Sequence, residues 1–409
     1  MPPPQVHGIA RRIHGWSWQS FPILMGTSAV YMTLSALKHH PAFVSSIETV
    51  FFFLSITLFF ANIVMLLLQA ICAFSLPAIF PRHAWSRLQD PIQGTFVVSF
   101  ATIVVGTMDY DLNYGHISSN LVFALFCIYL VIAIATCFPM IKITFSQPHD
   151  LPHFAPSYAF PVFPLMLTGL VSANTLKVID ASDPRALGIL LVGYVVHGLG
   201  LFLAFFFLVI YIIRLMMNGF MDGRQSNVAF VACSPPGFSA LTLISLGDHA
   251  RTILGARGYI NEATGDIWYS ASVMASLLLY GLALFFFIFG VIPYRFSLRR
   301  HLDGILDCWA LTFPNVGWIN ATRSLGDIFQ IQGFFTFHLV MTVFMCITWL
   351  FLFTLTVIAF CKGRIFKSGK EDFMRDIQAQ EEVAEERPAP VVPSSAHHLE
   401  GCSRALITV

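Results

Sequence analysis

Charge is scarce in this chain. Asp, Glu, Lys and Arg make up only 11% of its 409 residues, and hydrophobic residues make up 56%. Soluble domains average about 25% charged residues. Apolar runs of about 20 residues recur roughly ten times, and each is long enough to cross a bilayer as a helix. The composition therefore predicts an all-α polytopic membrane protein. The formal net charge of +1 gives no support to nucleic-acid binding.

Motifs for covalent, redox or metal chemistry are also lacking. The eight cysteines include no C-x-x-C pair, and no phosphate loop, nucleophile elbow or dinucleotide fingerprint is found. His149 and His153 have the spacing of a metal pair on a helix, but Pro148 and Pro152 interrupt that segment. We therefore expect these two histidines to lie in a loop. We expect the protein to have no metal site, no cofactor and no enzymatic activity.

Two kinds of apolar segment alternate along the chain. One kind is interrupted by proline and glycine and recurs about every 70 to 78 residues, a period that fits one transmembrane hairpin. The other kind is smooth and rich in Phe and Leu. The interruptions are Phe21-Pro22 with Gly26, Pro91 with Gly94 and Gly106, Pro161 and Pro164 with Gly169, Pro235-Pro236-Gly237, and Pro314 with Gly317.

Proline inside a bilayer frees backbone carbonyls that lipid cannot satisfy, so the interrupted helices should face protein or a water-filled cavity. This pattern predicts ten transmembrane helices, arranged as five helical-hairpin repeats around a central pore. Five interrupted helices line the path and five smooth helices face lipid. The predicted spans are 17–37, 46–74, 91–108, 118–143, 159–179, 186–217, 228–247, 268–293, 305–326 and 334–361.

The distribution of basic residues predicts the orientation. With ten crossings and a cytoplasmic N-terminus, fourteen Lys and Arg near the membrane ends fall on the cytoplasmic side and six on the other side, which favours both termini inside. We divide the chain into a cytoplasmic lead (1–15), a transmembrane domain (16–361) and a cytoplasmic tail (362–409). The tail is charged and rich in proline, so we expect it to be disordered.

The interrupted helices carry neutral hydrogen-bond donors and almost no carboxylates, as a path for an anion requires. Ser and Thr also commonly bond back to their own helix, which is the alternative for each of them. The predicted substrate path comprises Thr27, Ser28, Ser99, Thr102, Thr168, Ser234, Ser239, Thr312, Asn315, Asn320 and Arg323.

Positive charge recurs at the outer ends of three interrupted helices, at Lys177, Arg251 and Arg323. A basic outer vestibule would raise the local concentration of anions. The alternative is ordinary snorkelling of these side chains at the interface. Nearby acids would partly cancel the field: Asp180, Asp248 and Asp327.

In order and spacing, several motifs resemble the tellurite-resistance/dicarboxylate transporter family, and within it the fungal malic acid transporters. The fungal sulfite efflux pumps and the plant slow-type anion channels are more distant relatives. The similarity extends from about Arg11 to Asp372. The motifs are Arg-Arg-Ile-His-Gly-Trp-Ser-Trp, Ser99 to Gly106, Phe160-Pro-Val-Phe-Pro164, Ser234-Pro-Pro-Gly-Phe-Ser-Ala-Leu241, Phe313-Pro-Asn-Val-Gly317 and Ser368-Gly-Lys-Glu-Asp372.

The resemblance implies five hairpin repeats around a pore, often in a homotrimer, with an aromatic gate. By its position in the ninth helix, Phe313 is the candidate for that gate. The chain departs from the malate members at three places that shape the pore. It has Thr27-Ser28 in place of a Gly-Gly pair, Gln69 in a stretch where several members carry Arg, and Ser234 in place of Gly.

The leading functional hypothesis is therefore a plasma-membrane transporter of small organic anions, with C4-dicarboxylates such as malate as the first candidate substrates. Export of sulfite or of an acidic secondary metabolite by the same fold is the alternative. A membrane enzyme is disfavoured because no acid, base or metal set converges. A receptor is disfavoured because ten helices are predicted where seven would be expected.

Overall fold

The computed structural model describes residues 8–75, 94–115, 117–146, 148–221, 223–257, 261, 263–295 and 304–367. Within these ranges all regular secondary structure is helical. Residues 76–93, which include the predicted start of the third span at 91–93, lie outside the described residues. The α-helices are α1 Gly8–Gly15, α2 Phe21–Leu34, α3 Ala42–Ser75, α4 Gly94–Tyr114, α5 Ser119–Phe145, α6 Phe163–Val178, α7 Pro184–Asn218, α8 Ser234–Arg257, α9 Thr264–Val291, α10 Val316–Phe329 and α11 Gln332–Cys361.

Four of the interrupted segments begin with tight 3-10 turns. These turns are Trp18–Ser20 before α2, Pro156–Val162 before α6, Gly223–Cys233 before α8, and Asp307–Leu311 with Phe313–Asn315 before α10. The predicted continuous helices 17–37, 159–179, 228–247 and 305–326 are therefore each split, and α8 extends past the predicted end at 247. Proline has no N–H to donate and is tolerated in the first turn of an α-helix. The regular helix accordingly starts next to the proline.

Burial separates two classes of helix. Within the most apolar window of each span, only 22% to 39% of residues are buried in the smooth helices α3, α5, α7, α9 and α11. The corresponding share is 94% for the span that contains α6 and 83% for the span that contains α8. Within the described ranges, seven helices are long and apolar enough to cross a membrane. The helices α2 and α10 have 14 residues each, about 21 Å, which is shorter than the hydrocarbon core of a bilayer, about 30 Å.

The interrupted helices form a closed series of contacts. Helix α2 packs against α4, α4 against α6, α6 against α8 and α8 against α10, and α10 returns to α2. Each also packs against the smooth helix that follows it in the chain. Where α10 meets α2, Asn320 Nδ2 donates a hydrogen bond to Met32 O at 2.8 Å. The buried helices thus form the inner layer and the smooth helices form the outer layer.

Glycine permits the closest crossing in this inner layer, between α8 and α10. A Cβ atom at Gly317 would overlap the backbone nitrogen of Phe238, and one at Gly237 would lie 2.8 Å from the backbone nitrogen of Trp318. A side chain at either position would push the two backbones apart. The crossing brings Phe238 and Phe313 into contact.

The two ends of the transmembrane domain pack against each other. Arg12 Nη2 donates a hydrogen bond to Phe360 O at 3.2 Å, and the rings of Trp16 and Phe366 stack with centroids 4.5 Å apart. Phe366 is only 6% exposed. Phe366, which belongs to the tail that we expected to be disordered, is therefore packed against Trp16. Residues 368–409 lie outside the described part of the chain.

Candidate functional site

One cavity is shared by all five interrupted segments at the proline-bearing end of the inner layer. It has a volume of about 180 Å³, and we call it the axial cavity. The inner helices all start at this end, so their first turns and the preceding 3-10 turns converge there. Its lining is mostly apolar: Gln19, Pro22, Met25, Thr95, Ser157, Phe160, Val228, Val231, Leu306, Asp307, Trp309, Ala310, Phe313 and Pro314.

Phe313 forms part of the wall of the axial cavity. Its side chain is 2% exposed and stacks on Phe238, with ring centroids 5.0 Å apart and an interplanar angle of 30°. It follows Thr312, whose φ of −101° and ψ of −91° lie outside the helical region and turn the chain before Pro314. The sequence pattern pointed to Phe313 but not to Phe238. A signal was present, because Phe238 follows Pro235-Pro236 in the corresponding interrupted segment.

Thr312 and Asn315 make hydrogen bonds within their own segment. Thr312 Oγ1 donates to Trp309 O at 2.6 Å. Asn315 Nδ2 donates to Leu311 O at 2.9 Å, and its Oδ1 accepts from Trp318 Nε1 at 2.9 Å. In this conformation both side chains stabilise the break next to Phe313, and their role in the substrate path stays a prediction.

The predicted hydroxyls divide into two groups. The first group has partners inside the protein. Thr102 Oγ1 donates to Ser28 Oγ at 2.9 Å between α4 and α2, and Thr168 Oγ1 donates to Pro164 O at 3.1 Å. Thr27 Oγ1 accepts from Trp349 Nε1 of the outer helix α11 at 3.1 Å, so this hydroxyl is directed away from the axis.

The second group consists of buried hydroxyls that have no hydrogen-bond partner within the described residues. Its members Ser99 on α4 and Ser239 on α8 were predicted, and both residues are fully buried. Ser172 on α6 and Thr242 on α8 share this property. A buried hydroxyl without a partner costs free energy unless a water or a ligand completes it. In the inner layer, the O–H groups of these four residues are therefore available to donate a hydrogen bond to a water or a ligand. Ser234, also predicted, is 2% exposed.

The three cations of the predicted outer vestibule each have a carboxylate partner. Lys177 Nζ lies 3.5 Å from Asp109 Oδ1, and Arg251 Nε lies 2.7 Å from Asp266 Oδ1. Arg323 pairs with Asp327 one helical turn away. The sequence suggested Asp180 and Asp248 as the neutralising acids for Lys177 and Arg251. The observed partners come instead from neighbouring helices, because tertiary packing brings α4 next to α6 and α9 next to α8.

Asp180 adds negative charge in the loop between α6 and α7. Its Oδ1 accepts hydrogen bonds from Ser182 Oγ at 2.6 Å and from the Ser182 backbone N–H at 2.8 Å. These bonds hold the pKa of the Asp180 carboxyl below its ordinary value. The end of the inner layer that we predicted to be the basic vestibule is thus a mixture of paired charges rather than a purely basic surface.

Lys38 is an outer cation that the sequence pattern did not single out. Its Nζ lies 3.6 Å from the ring centroid of Phe335, and the guanidinium carbon of Arg323 lies 4.9 Å from the same centroid. Lys38 has no carboxylate partner among the described residues. Arg323 pairs with Asp327, but its buried Nε has no hydrogen-bond partner there. Asn320, on the same helix, has its Oδ1 buried and unpartnered. Two cations therefore share one aromatic ring beside the seam between α10 and α2.

A second cavity of about 210 Å³ lies among α2, α3 and α4. Its lining includes the carboxylates of Glu48 and Asp109. Glu48 pairs with His40, and Asp109 pairs with Lys177. Carboxylates in the wall repel an anion, and this cavity has two of them, compared with Asp307 alone in the lining of the axial cavity. It therefore fits an anion path less well.

The two spaced histidines lie where a short turn replaces a helix. His149 Nε2 is 2.7 Å from Thr144 O, and His153 Nδ1 is 3.1 Å from Asp150 Oδ2. The turn Leu151–His153 follows His149 and ends at His153. Among the described residues no group of three or more His, Cys, Asp or Glu has the arrangement of a metal site.

The chain is similar to known proteins over most of its length. The family model described as "SLAC1: Voltage-dependent anion channel" matches residues 15–357. The malic acid transport protein of Schizosaccharomyces pombe is 22% identical over 373 residues, covering 89% of this chain and 83% of that protein. The sulfite efflux pump SSU1 of Arthroderma otae is 25% identical over 367 residues, covering 86% of this chain and 92% of the pump. The SSU1 pump of Trichophyton rubrum is also 25% identical, over 364 residues.

Proposed function

The chain belongs to the SLAC1 family of voltage-dependent anion channels, and we propose that it carries small organic anions, with C4-dicarboxylates such as malate as its first substrates. The observation that carries this proposal is the axial cavity, which all five interrupted segments line and which Phe313 bounds. A substrate path requires one chamber common to the inner layer. The neutral, partner-free hydroxyls of Ser99 and Ser239 add donors suited to an anion.

We further propose ten crossings in five hairpins around a pore that passes through the axial cavity. Support comes from the closed series of contacts among the interrupted helices and from their greater burial. Both termini would be cytoplasmic and the membrane would be the plasma membrane. We also propose that the protein forms a homotrimer. Accessibility mapping with single cysteines at 5 and 400 should label both only from the cytoplasmic side, and an external label at either position would overturn the topology.

Sulfite export is the second candidate, favoured by the 25% identity to two proteins named sulfite efflux pumps. Gln69 lies in a stretch where several malate transporters carry Arg. Its structural role here favours neither malate nor sulfite. Gln69 Nε2 donates to the carbonyls of His14 and Trp16 at 3.1 Å and 3.2 Å, so it ties α3 to the lead. No charged group is needed for that contact.

Flux measurements in proteoliposomes test these proposals. The purified chain should move labelled malate down a gradient faster than protein-free vesicles, and unlabelled succinate and sulfite should be compared as competitors. Competition by dicarboxylates supports the leading proposal, and competition by sulfite alone supports the second. If no anion in the panel moves, both proposals fail.

A further inference from the structure

A groove runs along the end of α11 that leads to residue 362, next to the turn Asp307–Leu311. Its volume is about 520 Å³, and we call it the α11 groove. The wall from α11 consists of Phe351, Leu355, Ile358, Ala359 and Lys362. Steps of three and four residues place these side chains on one face of the helix. The apolar part extends over about 16 Å between Phe351 and Lys362.

The end of this groove is basic because the chain folds back after α11. Gly363 has a φ of +67°, in the left-handed region, and the backbone N–H of Arg364 donates to Ala359 O at 2.9 Å. This reversal is a common helix ending, and it directs Arg364 and Ile365 back into the lining of the groove. The stacking of Phe366 on Trp16 then holds the reversed segment in place.

Lys362 and Arg364 are exposed, and neither has a carboxylate partner within the described ranges. Both line the groove, two residues apart in the chain, where the apolar face ends. Asp307 lies in the opposite wall, so an anionic group would be held on the side of the two cations. The groove therefore combines a three-turn apolar face with a pair of positive charges at one end.

We propose that the α11 groove binds a phospholipid with an anionic headgroup, whose acyl chain lies along Phe351, Leu355 and Ile358 and whose phosphate lies between Lys362 and Arg364. A small soluble anion would use the two cations but would leave the apolar face exposed to water. An uncharged lipid would use the apolar face alone. Only an anionic amphiphile matches both parts. In the orientation proposed above, the two cations lie beside the cytoplasmic leaflet, where basic residues attract such lipids.

The site also adjoins the axial cavity. Gln19, Leu306 and Asp307 line both the groove and the axial cavity. A lipid in the groove would contact the turn Asp307–Leu311, which leads directly into Thr312 and Phe313. The bound lipid would therefore lie against the same residues that form one wall of the chamber.

Lipid-dependent thermal stability of the purified full chain tests the proposal. In neutral detergent, phosphatidylglycerol should raise the unfolding temperature more than phosphatidylcholine with the same acyl chains, because binding to the folded state stabilises it. Lys362→Gln and Arg364→Gln should each weaken the apparent phosphatidylglycerol affinity about fivefold, and the double variant about 30-fold, whereas phosphatidylcholine binding should not change. Lys142→Gln is the matched control, since Lys142 is a cation in the last turn of another outer helix. It should bind like the wild type.

Two further experiments distinguish a bound phospholipid from a bound soluble anion. Leu355→Trp fills the apolar part of the groove and should abolish the preference for phosphatidylglycerol even though both cations remain. This variant also decides the question if the double variant fails to fold. Glycerol phosphate or malate alone, at millimolar concentration, should give no stabilisation that depends on Lys362 and Arg364. The proposal is overturned if either soluble anion does so, if the two lipids stabilise equally, or if the double variant or Leu355→Trp retains the full effect of phosphatidylglycerol.

Discussion

At the scale of single residues, the stack of Phe313 on Phe238 matters most for the proposed path. Phe313 lies in the wall of the axial cavity, and Phe238 holds its ring from the neighbouring helix. A bulky apolar ring in a narrow path can block ions by excluding water. The same ring could serve only as packing, so the two roles must be separated by a measurement of transport.

Replacing Phe313 with Ala should increase anion flux or conductance per folded molecule and loosen selectivity, because the ring that narrows the path is removed. Flux in proteoliposomes, normalised to folded protein, is the measurement. Phe202→Ala is a suitable control, since Phe202 is 69% exposed on the outer helix α7. A role in packing alone would destabilise the fold by about 3 to 5 kcal/mol. Unchanged or reduced normalised flux would then exclude Phe313 as the gate.

Arg323→Ala should raise the KM for a divalent anion about fivefold, the effect of losing roughly 1 kcal/mol of charge interaction near the surface. Arg323→Lys should recover part of this effect, because the charge returns without the planar guanidinium. Lys142→Ala is the comparison, since Lys142 is a cation in the last turn of the outer helix α5 and lies outside the predicted vestibule; its KM should match that of the wild type. Initial rates over a range of malate concentrations give the KM. Equal kinetics for wild type and Arg323→Ala would assign this side chain to interfacial packing.

At the scale of elements, proline and glycine set where the inner helices start and how closely they cross. In four of the segments 3-10 turns lie beside the prolines, and these turns line the axial cavity together with the start of α4. Gly237 and Gly317 then let α8 and α10 approach until their backbones touch. The geometry of the proposed gate therefore depends on residues that contribute no functional group.

Gly317→Ala should destabilise the protein by about 1 to 3 kcal/mol, because the added methyl group meets the backbone of α8 rather than a side chain that can move. Gly198→Ala is the matched control within the helix α7. No atom lies within 4 Å of its added methyl group, and replacing a helical Gly with Ala should be neutral or stabilising by up to about 1 kcal/mol. Thermal unfolding in detergent measures both. Equal unfolding temperatures for the two variants would contradict the close crossing.

At the scale of the whole molecule, an inner layer of polar, buried helices is enclosed by an apolar outer layer. The sequence of contacts from α2 to α10 and back to α2 closes the inner layer. Trp16 and Phe366, on either side of the helical domain, pack together at the end that carries the axial cavity. The boundary of the folded unit thus lies beyond Phe366.

Two truncations test this boundary. Ending the chain after Lys370 should leave expression, assembly and unfolding temperature close to those of the full chain. Ending it after Lys362 removes Phe366, whose burial contributes about 1.5 to 3 kcal/mol, and should lower the unfolding temperature measurably. Size-exclusion profiles and thermal unfolding give the comparison. If the chain ending at Lys370 fails to assemble, residues beyond 370 are needed for folding; if the chain ending at Lys362 is as stable as the full chain, the Trp16 contact contributes little.

The sequence by itself determined the class, the family and most of the helix positions. Scarce charge and long apolar runs require helices that satisfy their own backbone in lipid, and the repeated prolines mark the helices that do not face it. The predicted span 118–143 lies within one residue of the start of Ser119–Phe145 and two residues of its end. Membership of the SLAC1 family confirmed the resemblance carried by the motifs.

Only the tertiary structure decided which polar groups are available and which are already paired. Ser239 and Thr27 are equivalent by sequence pattern, yet Thr27 accepts a hydrogen bond from Trp349 and Ser239 has no partner among the described residues. Likewise, Lys177 finds Asp109 on a different helix. Hydrogen bonds and ion pairs between helices depend on distances of a few ångströms across elements far apart in the chain. The periodicity of a single helix specifies which face a residue occupies, but not the atom that it meets there.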